Sequence, residues 1–174
     1  MITVTLGTIP YPFDRAIAWI QDLLESEIIT EPIFIQNGVT DVSQVSQYPL
    51  VKTKSIIEYG QLIHIVNNSR LVISHAGQGS TRMLAAQQAS FILLPRLASY
   101  KEHIDDHQLF FAQTMQQFGI GHCLNLEDLT HIILSPPPPF KSELFEGPRL
   151  SEHLKRRYPR ESQISSVEES EKVT

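Results

Sequence analysis

The amino-acid sequence predicts an α/β domain whose parallel sheet is covered by helices on both faces. Three observations carry that prediction. Short apolar or β-branched runs alternate with segments of helical periodicity. Turn residues bound nearly every run, and alternation of strand with helix implies right-handed crossovers that each lay a helix on the sheet. Two of the runs, Leu71-Val72-Ile73 and Phe91-Ile92-Leu93-Leu94, lead into polar clusters, which a parallel sheet would bring to one edge.

The elements follow in order. Residues 2–6 alternate Thr with apolar residues and read as a strand, closed by the turn-rich Gly7-Thr8-Ile9-Pro10-Tyr11-Pro12. Phe13, Ile17, Ile20, Leu23 and Leu24 then fall on one helical face, with Trp19 beside it. A second strand is expected at 32–36 before Asn37-Gly38, a weaker one at 50–53, and a short helix at 58–68. Strands four and five are expected at 71–74 and 91–94, backed by helices at 83–88 (starting near Thr81) and 106–118. A sixth strand at 120–124 and a helix at 127–134 complete the domain. Four prolines, 136–139, fix φ and remove donors, so regular structure should stop there. The expected division is a ligand-binding domain at 1–135 and a Pro-rich linker with a flexible tail at 136–174. In the tail, 142–158 has room for a helical turn or two, and the Ser/Glu-rich 162–174 has too little to bury to fold.

With 174 residues, 41% hydrophobic and 19% charged, the chain has the composition of a water-soluble globular domain with a core of ordinary size. No apolar stretch approaches the roughly 18–20 residues of a membrane span, and the first residues lack the basic start of an export signal. The single Cys123 excludes an internal disulfide and reads as a buried structural thiol in a cytoplasmic protein. A net charge of −5 argues against nucleic-acid binding. Residues 141–174 carry seven Lys/Arg against seven Glu, so the whole excess belongs to 1–140. The basic group Lys155, Arg156, Arg157 and Arg160 reads as a solvated face.

Ser74-His75-Ala76-Gly77-Gln78-Gly79-Ser80 carries the most chemistry. A strand, a glycine-rich turn and a helix start make an anion site, because glycine lets a ligand approach the main chain and the first helical N–H groups lack partners. Phosphate suits such a site. His75 adds a ring donor that can carry charge, and Ser80 a hydroxyl. The second cluster, Glu102-His103-Ile104-Asp105-Asp106-His107-Gln108, is expected to face the same edge.

On these motifs, together with the opening Leu6-Gly7-Thr8, the chain resembles the C-terminal, sugar-nucleotide-binding half of GT-B glycosyltransferases of family 28. The likeness covers roughly residues 1–125 and is strongest to the small catalytic subunit of two-component UDP-sugar transferases of oligosaccharide and exopolysaccharide assembly. It implies a Rossmann-like sheet and hexosyl transfer from a UDP-sugar to a lipid-linked or glycan acceptor. His75, Gly77, Gln78, Gly79 and Ser80 would hold the diphosphate, with His75 stabilising its charge. Asp106, His107 and Gln108 would reach the sugar, and Gly7 and Thr8 the phosphates or the acceptor. No cofactor beyond the donor and no metal is expected. The acceptor half being absent from these residues, the resemblance also implies a membrane-anchored partner subunit that binds the acceptor, supplies the base and holds this chain at the inner face of a membrane. One departure stands out: where many relatives carry a ribose-binding glutamate, three residues after the motif serine, this chain has Met83.

Other readings compete for the same residues. His103 and His107, four apart, would share one face of a helix as metal ligands, but the sequence shows no third ligand at a supporting spacing. A nucleotide-sugar epimerase would need a second domain. A non-catalytic scaffold subunit is compatible with Met83. His64, His122, His131 and His153 read as surface or satisfied structural histidines.

Overall fold

The computed structural model describes residues 1–141 and Leu144. The expectations for the tail beyond them, including His153 and the basic group, lie outside the described residues. Five parallel strands, β1 (Ile2–Thr5), β2 (Ile33–Gln36), β3 (Val51–Lys54), β4 (Leu71–His75) and β5 (Phe91–Leu94), form one sheet. Their order is β3-β2-β1-β4-β5. The helices are α1 (Asp14–Glu25), α2 (Ser43–Ser46), α3 (Tyr59–Asn67), α4 (Gln78–Ala86), α5 (His107–Gln116) and α6 (Leu126–Leu134). This is the expected α/β architecture, with α2 and a 3-10 turn at Ala98–Tyr100 added.

Strand periodicity assigns the two faces. Ile2, Val4, Ile33, Ile35, Leu71, Ile73, Ile92 and Leu94 point one way and bury against Ile17, Ile20, Leu23 and Leu24 of α1, Val45 of α2, and Leu129 and Ile133 of α6. Val72, Phe91 and Leu93 point the other way, against Val66 of α3, Met83 and Leu84 of α4, and Ala112 and Met115 of α5. The second face of β1 is polar. Its Thr3 hydroxyl bonds Ser69 Oγ (2.7 Å), and its Thr5 hydroxyl donates to Ser74 Oγ (2.9 Å), so buried hydroxyls are satisfied beneath the site.

Three expectations change. The sixth strand is reduced to a single bridge between Leu93 and His122, held by bonds from Leu93 N–H to the Gly121 carbonyl and from Cys123 N–H to the Leu93 carbonyl. Gly119 at φ +81° and Gly121, two residues on, leave this segment few side chains to pack, and Asn125 caps α6 almost at once by accepting from Asp128 N–H. The helix after β4 starts at Gln78, not near Thr81, because Thr81 turns inward and its hydroxyl donates to the Gly77 carbonyl (2.9 Å). The proline run does not end the compact unit at 135. Ser90 Oγ donates to the Pro137 carbonyl (2.6 Å), Phe140 N–H to the Ala89 carbonyl (3.0 Å), and Phe140 and Leu144 pack on the second core face, so this unit is Met1–Leu144.

Candidate functional site

In this strand order the chain reverses direction across the sheet between β1 and β4, and the crevice beyond the strand ends at that point is where parallel α/β sheets bind ligands. The loops after β1 and β4 therefore meet, and the pairing of Thr5 with Ser74 places Gly7 beside His75. His75 Nδ1 bonds the Thr5 carbonyl at 3.1 Å. A carbonyl only accepts, so Nδ1 carries the hydrogen and Nε2 of the neutral ring presents a lone pair. Burial, with the nearby Arg96 charge adding to it, pushes the imidazole pKa down to about 4, against an opposing pull from the Thr5 bond. Unliganded at neutral pH, His75 is thus an acceptor. It becomes the charged donor expected from the sequence only on gaining a second proton.

Two glycines clasp the ring. A Cβ at Gly7 would lie 2.8 Å from His75 Nε2, and one at Gly77 2.5 Å. Gly7 also holds φ +79°, a conformation that side chains resist. Gly79 differs, since a Cβ there meets nothing within 4 Å. It relieves no clash and leaves open space at the start of α4. Gly77 is the N-cap of α4 and no side chain caps the helix, so the N–H groups of Gln78, Gly79 and Ser80 form its unsatisfied first turn. Ser74 of the motif is structural: it is buried and its hydroxyl donates to the His75 carbonyl (3.1 Å). Thr8 is exposed at the same edge.

The second cluster is also brought to this edge, with its acceptors partly used. Asp106 Oδ1 accepts from Ala98 N–H (2.8 Å), and buried Gln108 accepts at Oε1 from Arg96 N–H (3.2 Å). The other Asp106 oxygen and the Gln108 amide nitrogen have no hydrogen-bond partner among the described residues. His107 is exposed and bonds Asp105. Met83 is 8% exposed and packed in the second core cluster, so the thioether serves the core. Cys123 is buried as expected, and burial raises its thiol pKa to about 12. His64 and His131 are exposed, whereas His122 departs from expectation, its buried Nδ1 being without a partner among the described residues.

Sequence reasoning missed the residues that hold these loops. Gln36 receives Gly7 N–H at Oε1 (3.1 Å) and donates to the carbonyls of Gly7 (3.0 Å) and Ser55 (2.8 Å). Arg96, 1% exposed, donates to the carbonyls of Leu6 (2.7 Å), Tyr11 (2.8 Å), Pro12 (3.1 Å) and Glu102 (3.1 Å), and its guanidinium lies 4.5 Å from the Phe13 ring centre. Burial lowers its pKa to about 10, which leaves it charged at neutral pH. Glu102 takes two bonds from Arg15 (2.9 and 2.8 Å) and one from Leu97 N–H (2.9 Å). The available signal was a lone arginine at the end of an apolar strand, where a buried charge requires partners.

The profile of the glycosyltransferase family 28 C-terminal domain matches residues 1–134. Over 115 residues the chain is 29% identical to the UDP-N-acetylglucosamine--N-acetylmuramyl-(pentapeptide) pyrophosphoryl-undecaprenol N-acetylglucosamine transferase of Crocosphaera subtropica, covering 66% of this chain and 30% of that protein. Among solved structures it is similar to Acinetobacter baumannii MurG (TM-score 0.56, 17% identity, 76% of this chain and 40% of that one). It is also similar to ALG13 in solution (TM-score 0.56, 19% identity, 83% of this chain and 90% of that one). The chain thus spans less than half of the first two relatives. The matched family, the parallel sheet and the loops meeting at its switch point agree, and the chain belongs to the glycosyltransferase family 28 C-terminal domain.

Proposed function

We propose that this chain is the donor-binding subunit of a UDP-sugar-dependent hexosyltransferase, acting on a lipid-linked or glycan acceptor that a membrane-anchored partner presents. The observation that carries the reading is the juxtaposition of His75, clasped by Gly7 and Gly77, with the uncapped first turn of α4. The N–H groups of Gln78, Gly79 and Ser80 and the Ser80 hydroxyl bind the diphosphate, whose charge grows as the sugar leaves; donors fixed in advance stabilise that charge without reorganising. A diphosphate beside His75 favours the doubly protonated ring, so His75 accepts a proton as the donor binds and then donates from Nε2. Thr8 lines the same edge. The free Asp106 oxygen and the Gln108 amide nitrogen are left for sugar hydroxyls, with His107 at the rim.

Partner dependence is supported by what the chain covers: 30% of the Crocosphaera enzyme, but 90% of the ALG13 structure. Among the described residues no helix is long and apolar enough to cross a membrane, so membrane attachment falls to the partner in this reading. Met83 in the core favours a second reading, a non-catalytic scaffold of such a complex. Calorimetric titration with UDP separates the two. UDP binding that weakens by about 1–3 kcal/mol in His75→Ala or Ser80→Ala is expected for a lost charge-assisted hydrogen bond. No UDP binding by the intact chain would leave the scaffold.

A further inference from the structure

His103, Asp105 and His107 present one ligand atom each within 4.8 Å of one another. Sequence spacing places the two histidines on a helix, but α5 begins only at His107. His103 lies in the loop before it, and the turn between them folds Asp105 inward as the third group. The geometry of the histidines is informative. Asp105 N–H points at His103 Nδ1 (3.4 Å), so that nitrogen carries its lone pair, which a metal would take in place of this long contact. Asp105 Oδ1 lies 3.3 Å from the same nitrogen. A nitrogen lone pair and a carboxylate oxygen this close call for a cation between them, either a proton or a metal ion. Ligands about 2.0–2.1 Å from a tetrahedral ion lie about 3.3 Å apart, which fits His103 and Asp105, whereas the exposed His107 ring, bonded directly to the carboxylate, must turn to admit an ion. His107 Nδ1 reaches the same carboxylate oxygen, and the two imidazoles meet edge to face at 4.4 Å. Tyr11 backs the His103 ring at 5.7 Å.

We propose that His103 Nδ1, Asp105 and His107 Nδ1 form a binding site for a zinc-class divalent transition metal, with a further coordination position open to solvent. Two imidazoles and one carboxylate suit zinc, cobalt or nickel and disfavour magnesium, which prefers oxygen ligands and keeps its waters. The ion displaces the hydrogen that now joins His107 to Asp105. It fastens the loop carrying Glu102 to the first turn of α5, flanking Asp106. The site shares His107 with the rim of the proposed sugar site, but its test does not depend on that reading, since binding of the metal alone is measured.

The test is calorimetry of the chelator-stripped full chain with Zn2+, with the visible absorption of bound Co2+ as the geometric readout. One equivalent per chain is expected, weakened at least tenfold in Asp105→Asn and in His107→Gln and unchanged in His131→Gln, a remote histidine. Both changed side chains are 59% exposed, so the variants keep the fold, which their melting profiles verify. Zinc should raise the melting temperature of the wild-type chain and not of Asp105→Asn. Absence of stoichiometric binding, wild-type affinity in both variants, or affinity for Mg2+ equal to that for Zn2+ would each overturn the proposal.

Discussion

At the scale of single residues the three glycines of the site have separable duties. Gly77→Ala would press a methyl into His75 Nε2, where a Cβ stands at 2.5 Å, and so break the Thr5 bond or tilt the turn. Gly79→Ala meets open space inside a helix, where alanine is favoured by about 0.5–1 kcal/mol. We expect Gly79→Ala to raise the melting temperature slightly while weakening UDP binding; a variant that binds UDP as well as the wild type would remove Gly79 from the ligand surface. His75 supplies a pH signature. Its folded pKa, about 4, lies below its ordinary 6.5, so its contribution to stability is complete above pH 6.5 and is lost as pH falls from there through about 4. Urea titrations across that range should show a shallower acid loss in His75→Asn. The glycine-rich turn could be read directly from the sequence because its chemistry is local. The state of His75 could not, since it depends on a carbonyl 70 positions away and on Arg96 across the sheet.

At the scale of elements, the loops that carry the site are fixed by charge buried among carbonyls. Arg96 joins the loop after β1 to the loop after β5, and among the described residues Glu102 alone offers a carboxylate to Arg15. Arg15 and Glu102 are 9% and 4% exposed at their side chains. Removing one member of a buried pair leaves the other uncompensated, a loss of about 3–5 kcal/mol. Glu102→Gln should therefore lower the unfolding free energy on that order in chemical denaturation, with the β1 loop loosened as well. A loss under about 1 kcal/mol would mean that solvent reaches Arg15 more freely than the geometry indicates. Strand periodicity made β1, β2, β4 and β5 legible within a residue or two. The sixth strand misled because the 120–124 run has the composition of a strand, yet Gly121 and the early cap at Asn125 leave it one bridge. The start of α4 misled because the hydroxyl residue that ordinarily caps from outside, Thr81, lies inside the first turn.

At the scale of the whole molecule, the architecture supplies one binding edge, and the proposed chemistry needs a second surface for the acceptor. Purified chain assayed with UDP-sugar and a lipid-linked acceptor should transfer only when membranes containing the partner are added; transfer by the isolated chain at comparable rate would refute partner dependence. The division into strands and helices, and hence the location of the edge, followed from patterning alone. The clamp of Gln36, Arg96 and Glu102 did not, because its members are 60 or more positions apart from Gln36 to Arg96 and meet through backbone atoms that no composition reveals.

The return of the chain over Ala89 and Ser90 bears on how this domain can be cut. A protein ending at residue 135, where the prolines suggest a natural stop, would lose the acceptor of Ser90 Oγ, the bond from Phe140 to Ala89 and the ring that lies 6.1 Å from Phe91. It would expose apolar surface at the end of the molecule opposite the ligand edge, with a cost of about 25 cal/mol per Å² uncovered. A chain of residues 1–144 should therefore melt higher and aggregate less than one of residues 1–135, although both contain every strand and every residue assigned to the donor. The prolines act as a buckle that closes the far end of the sheet, and the minimal folding unit reaches beyond the part that does the binding.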